Sequence, residues 1–162
     1  MGRRAEALAD RIEKGAAELA AFAEGLSEKD WQTPGTSGND RRPVGVLVHH
    51  VASMYPIEIG VVQVVASGKP VTDVTWDAVA GINSKHASDN AGVTKAAALD
   101  LLRKNSREAA AAVRKMTDEE LDSAAPFSLS YGAPMTAQFV IEDHPLRHPW
   151  HHLTRIRKTL GR

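Results

Sequence analysis

The sequence predicts an all-α fold, a four-helix bundle. Apolar residues recur at helical spacing in four long segments. Helix caps and stops fall at the ends of those segments. Alternating β pattern is scarce, and one long polar crossover separates the second segment from the third.

The first helix spans about Arg4 to Gly25, where Leu8, Ile12, Leu19, Phe22 and Leu26 form one apolar stripe. The stripe has a gap at Gly15, which neighbouring Ala16 is expected to fill. In "LSEKDW", Ser27 caps a short turn that ends in Trp31. "TPGTSGNDRRP" is a loop by composition. Pro43 suits the first position of a second helix, which runs to about Ala66 and stops at "SGKP". Pro56 lies inside that helix and is expected to kink it. The crossover holds one short helix, near Asp77 to Ser88. Its length frees the second and third long helices from being antiparallel sequence neighbours. Thr94 caps the third helix, which reaches about Met116, and Thr117 with Glu120 gives a capping box just after it. "FSLSYGAPM" reads as an irregular or briefly extended loop. The fourth helix starts near Thr136 and runs to Leu160, with Gly161 as its stop.

A chain of 162 residues is expected to form one domain, residues 1–162. Apolar residues make up 43% and charged residues 25%, the mix of a globular protein. Twenty basic and twenty acidic side chains cancel, so no footprint for nucleic acid or an anionic membrane is expected. The chain has no cysteine, which excludes a disulfide, a thiolate ligand and an internal thiol nucleophile. The basic start "MGRRAEALAD" runs straight into a charged helical pattern, unlike a signal peptide. The most apolar run, Val61 to Ala66, is short for a bilayer span, and a cytoplasmic location is the expectation.

The histidines are unevenly placed. "HPLRHPWHHL", from His144 to Leu153, holds four of the seven. Residues four apart on a helix lie about 40° apart and one turn along, so His148 and His152 can meet one ion. His144 and His148 have the same relation, whereas His151 points about 100° away from His152. The second helix offers "LVHHVA". There His50 shares the apolar stripe of Val46, Leu47, Met54, Ile57 and Val61, and His49 falls on a flank. The alternative reading of His50 is a hydrogen-bonded core residue. Two His-bearing helices in a cysteine-free bundle favour a metal site.

These segments resemble the DinB/YfiT-like superfamily of metal-dependent four-helix-bundle proteins. "VGVLVHHVA" resembles the family's second-helix segment, with His50 in the ligand place. "HPWHHLTRI" resembles its last-helix segment, with His148 and His152 in the ligand places. The "LSEKDW" and "MTDEELD" turns also match family landmarks, so the resemblance covers nearly the whole chain. It implies an up-down-down-up bundle, often a homodimer, with a divalent ion between the second and fourth helices. It also implies transfer to or from low-molecular-weight thiols, or a thiol-dependent isomerisation, among the activities. Pro145 and Pro149 depart from the pattern. Either they bend the last helix and keep His148 with His152, or they break it and bring His144 into the pair.

Three neutral imidazoles leave an ion its full charge and an open position, the pattern of a catalytic site. Zn²⁺ is the expected ion, with Ni²⁺ or Fe²⁺ as alternatives. A ligated water would act as nucleophile in a hydrolase, and a ligated thiol would lose its proton in a transferase. Either would act on a small-molecule substrate, and the thiol would arrive as a cosubstrate. The candidate catalytic residues beside the ion are Glu58, Asn83 and His86. The plain alternatives are a surface charge for Glu58 and a solvated loop for Asn83 and His86. Asp143 and Glu142 could orient an imidazole, while Trp31 and Trp150 read as packing groups. The reading from another class is a non-catalytic binding or stress-response module with a structural or vestigial ion.

Overall fold

Ala5, Leu8, Ala9, Ile12, Leu19 and Ala23 are buried on one face of the first helix, α1 (Arg3–Glu24), in the computed structural model, which describes residues 2–162. Ser27 and Asp30 then close a capping box on α2 (Glu28–Gln32), which seats Trp31 in the core. The Trp31 indole N–H donates to the Val93 carbonyl at 3.0 Å. The second long helix is α3 (Val44–Ala66). Pro43 stands just before it rather than in its first turn, because its ψ of 152° is extended. Among the described residues α3 alone is long and apolar enough, by composition, to cross a bilayer. It is the core helix of the bundle, buried at Val44, Leu47, Val48, Val51, Ala52, Tyr55 and Val62.

The crossover contains α4 (Trp76–Asp89) and leads to α5 (Lys95–Arg114), whose first turn is capped by the Thr94 hydroxyl accepting from the Ala97 N–H. Thr117 and Glu120 form the capping box of α6 (Asp118–Asp122). The stretch read as irregular or briefly extended is a small hairpin. In it β1 (Ala124–Pro126) pairs antiparallel with β2 (Pro134–Thr136), around a single 3₁₀ turn at Ser128–Ser130. The Val71 N–H donates to the Pro126 carbonyl, and the Ser128 N–H donates to the Val71 carbonyl, each at 2.9 Å. These bonds pin the start of the crossover to the hairpin.

Side-chain contacts give the helix directions. Arg114 pairs with Glu6, Asp10 and Glu13, and Arg103 pairs with Glu24, so α5 runs antiparallel to α1. Asn105 touches Ala52, while Val113 and Met116 share a groove with Val62 and Ala66, so α5 runs parallel to α3. A parallel pair of neighbours requires a connection as long as the bundle, and the α4 crossover is that connection.

The prolines are accommodated in two ways. Pro56 has no N–H for the carbonyl four residues earlier, that of Ala52. The buried Asn105 side-chain amide donates to that carbonyl at 2.8 Å, so the helix passes through Pro56 without an orphaned acceptor. Pro145 sits in a π-helical turn, Glu142–Leu146, between α7 (Ala137–Ile141) and α8 (Arg147–Leu160). A π turn closes one residue later than an α turn, which absorbs the clash and the missing donor. The last helix is thus continuous from Ala137, capped by Thr136, to Leu160. The prolines alter its register rather than end it.

Candidate metal centre

His50 lies on the buried face of α3, and His152 on the buried face of α8, each 3% exposed. His148 lies one turn before His152 and is half-buried. One ring nitrogen from each of the three falls within 4.8 Å of the others. His50 Nε2 and His148 Nε2 are 3.1 Å apart. Two nitrogens on one tetrahedral ion with bonds of about 2.0–2.1 Å would be about 3.3 Å apart, so this pair is already at ligand spacing. The three rings meet edge to face, with centroids 4.8 to 5.2 Å apart.

Burial favours neutral rings at His50 and His152. Burial, then the neighbouring His148, pushes the His50 pKa down to about 2. Burial also holds His152 well below the usual range. Neutral imidazole is the form that ligates a metal. Nδ1 of His50, His148 and His152 are all buried without a hydrogen-bond partner. The donor set is three nitrogens with no thiolate, which suits a divalent ion.

Glu58 stands two turns after His50 on α3 and is buried, not a surface charge. Its Oε1 comes within 2.9 Å of His148 Nδ1, out of line for a hydrogen bond, and its Oε2 has no partner. Asn83 is on α4, lines the same cleft, and has a buried Oδ1 without a partner. His86, one turn after Asn83, turns elsewhere. Its Nε2 meets His49 Nδ1 at 2.8 Å, the two rings stack, and neither joins the three-histidine cluster. Only the edge of His86 approaches His50, at 5.5 Å between centroids.

His144 is outside the cluster as well. It lies in the π turn, so the extra residue offsets its face from that of His148. Its ring stands edge-on to Phe127, and its Nε2 is 3.6 Å from Asp143. His151 is exposed and stacks edge-on with His152 from the outside.

The cluster forms the base of a cleft of about 250 Å³. Met54, Ile57 and Val61 of α3 line it, so that part of the apolar stripe faces the cleft, while Val46 and Leu47 are buried in the core. The crossover and hairpin supply Val74, Trp76, Val79, Phe127 and Leu129. Composition hid these residues, since the crossover reads as polar. Arg42, Arg147 and Arg155 also line the cleft. The sequence does not single out Arg42, because "TPGTSGNDRRP" reads only as a loop; Asp40, two residues before it, is the one signal beside it. Trp150 and Pro149 pack against α1 at Gly15. The gap in the first apolar stripe is therefore filled by the last helix, not by Ala16.

No curated protein matches the chain by sequence. Among solved structures, the chain is similar to YfiT from Bacillus subtilis, described as a probable metal-dependent hydrolase with an unusual four-helix bundle topology. The TM-score is 0.74 at 17% identity, over 99% of this chain and 90% of that one, a likeness of fold. The model of the DinB superfamily matches residues 11–156, a span that includes α3, the crossover, the hairpin and all three clustered histidines. On that match the chain belongs to the DinB superfamily.

Proposed function

We propose that the chain is a divalent-metal-dependent enzyme acting on a small molecule, with His50, His148 and His152 as the ligands and hydrolysis as the reaction. One observation carries this reading: three imidazoles from two helices converge in the lining of a partly open cleft. The description of the YfiT neighbour supports it. Zn²⁺ is the best match to an all-imidazole set, with Ni²⁺ and Fe²⁺ as alternatives. A divalent ion held in this way supplies Lewis acidity and lowers the pKa of a ligated water or thiol.

The chain's own residues do the rest. Glu58 lies against the His148 ring, with Oε1 2.9 Å from Nδ1, and the unpartnered Oε2 accepts the proton of the attacking group. Asn83 Oδ1 accepts a hydrogen bond from the substrate. Met54, Val61, Val74 and Phe127 exclude water from one wall. His86 pairs with His49 and does not line the cleft, so this reading gives it no part.

Transfer to a low-molecular-weight thiol is the second reading. The absence of cysteine requires that such a thiol be a cosubstrate, and the family resemblance supports it. A homodimer in the cytoplasm completes the proposal. A non-catalytic module with a vestigial ion would be favoured by a sealed site, and the cleft is open. Elemental analysis of the purified chain is the first test, followed by ester and amide turnover with and without added thiol. Retention of a stoichiometric ion and turnover lost on chelation are expected. A chain that takes up no divalent ion would overturn the reading.

A further inference from the structure

Arg42 closes the loop before α3 and stands in the cleft wall beside the histidines. Its Nε and Nη2 donate to Asp40 Oδ1 and Oδ2, at 3.0 and 2.8 Å. That two-point contact fixes the plane of the guanidinium. Arg155 approaches the same carboxylate at 3.3 Å. Two guanidinium groups therefore share one acid, which leaves one positive charge in excess. Asp143, the other rim acid, pairs with Arg147 at 3.1 Å, and Glu58 faces His148. Among the described residues no acid other than Asp40 pairs with Arg42 or Arg155, so the excess charge is local to that pair.

The third nitrogen of Arg42, Nη1, is buried and has no acceptor. The side chain is only 16% exposed. A buried guanidinium N–H is costly to leave unsatisfied, and its strongest partner is an anionic oxygen. The remaining wall is apolar, formed by Met54, Ile57, Val61, Val74, Phe127 and Leu129.

We propose that Arg42 is a substrate-binding residue that takes a carboxylate through Nη1, and that the substrate is a small acid with an apolar body lying along the α3 and hairpin wall. Asp40 is its positioning residue. The proposal rests on the cleft being the substrate site, as in the function proposed above, but not on the ion.

Hexanoate and hexanamide serve as probes, with the same chain length and different charge. Their binding is measured by titration calorimetry on the purified protein and again after metal removal. Metal-free protein should bind hexanoate at least about tenfold tighter than hexanamide, the size of one charge-assisted bond. Arg42→Gln should abolish that preference. Arg41→Gln makes the same charge change at the neighbouring position and should keep it, since Arg41 is turned to the Gly38 carbonyl. Equal or undetectable binding of the two probes by metal-free wild-type protein would overturn the proposal without any variant. So would an unchanged preference in a folded Arg42→Gln protein. A chain without a metal would instead sink the metal reading and leave this one standing.

Discussion

His50 and His148 bring their Nε2 atoms to 3.1 Å although 98 residues separate them in the chain. Burial keeps His50 neutral, and no protein donor or acceptor reaches its Nδ1. Replacing His50 by Ala should remove most of the bound divalent ion, and so should replacing His152. Replacing His49 or His144 should not, because those rings lie outside the cluster. Metal content per chain after gel filtration decides between them. Equal retention in the His50 and His49 variants would contradict the assignment.

Removal of the ion should lower the melting temperature without unfolding the chain. Only the folded protein gathers ligands from α3 and α8, so free ion at a hundredfold over Kd stabilises by about 2.7 kcal/mol. For a chain of this size that is a shift of roughly 5–10 °C. Scanning calorimetry with and without chelator measures it. An unchanged transition after verified metal removal would break the linkage.

Glu58→Gln should weaken metal binding by about 10–100-fold, the usual effect of losing a carboxylate beside a ligating imidazole. Metal-free Glu58→Gln should be no less stable than wild type, since the variant buries an amide where the native chain buries an unpaired carboxylate oxygen. Competitive metal titration and urea unfolding of the metal-free proteins test the two halves separately.

Gly15→Ala should destabilise the bundle by about 1–3 kcal/mol through overpacking. A Cβ there would stand 2.9 Å from Pro149 Cγ and Trp150 Nε1. Those residues lie between His148 and His152, so the displaced helix segment should also weaken metal binding. Urea unfolding with a metal titration checks both. A variant as stable as wild type would show that α8 yields freely at this contact.

The Asp40 carboxyl is held below the usual carboxylate range, chiefly by the Arg42 side-chain hydrogen bond and then by the Arg42 N–H. Its folded pKa lies below its unfolded one. Its contribution is therefore present above about pH 4 and lost as pH falls through the folded value. Asp40→Asn should reduce stability at neutral pH and flatten the acid limb of the stability profile below about pH 4. Unfolding midpoints across that range read the slope.

The sequence by itself determined the helices and which histidines could share a face. Local chemistry suffices for these: caps at Ser27, Thr94 and Thr117, a 3.6-residue period, and the four-residue step from His148 to His152. The rest required contacts between segments far apart in the chain. The period of α3 shows that Met54, Ile57 and Val61 share a side, but not that this side faces a cleft. The spacing of His144 and His148 equals that of His148 and His152, and only the π turn around Pro145 separates them. Glu58 could not be told from a surface charge until α8 packed over it and brought His148 within 2.9 Å. Arg42 reads as part of a polar loop until Asp40 and Arg155 fix its plane. Periodicity reports the direction of a side chain about its own helix axis, and it carries no information about what the neighbouring helix places opposite. For that reason the ligand candidates could be named from the chain alone, while the cleft and its charged wall exist only in the folded bundle.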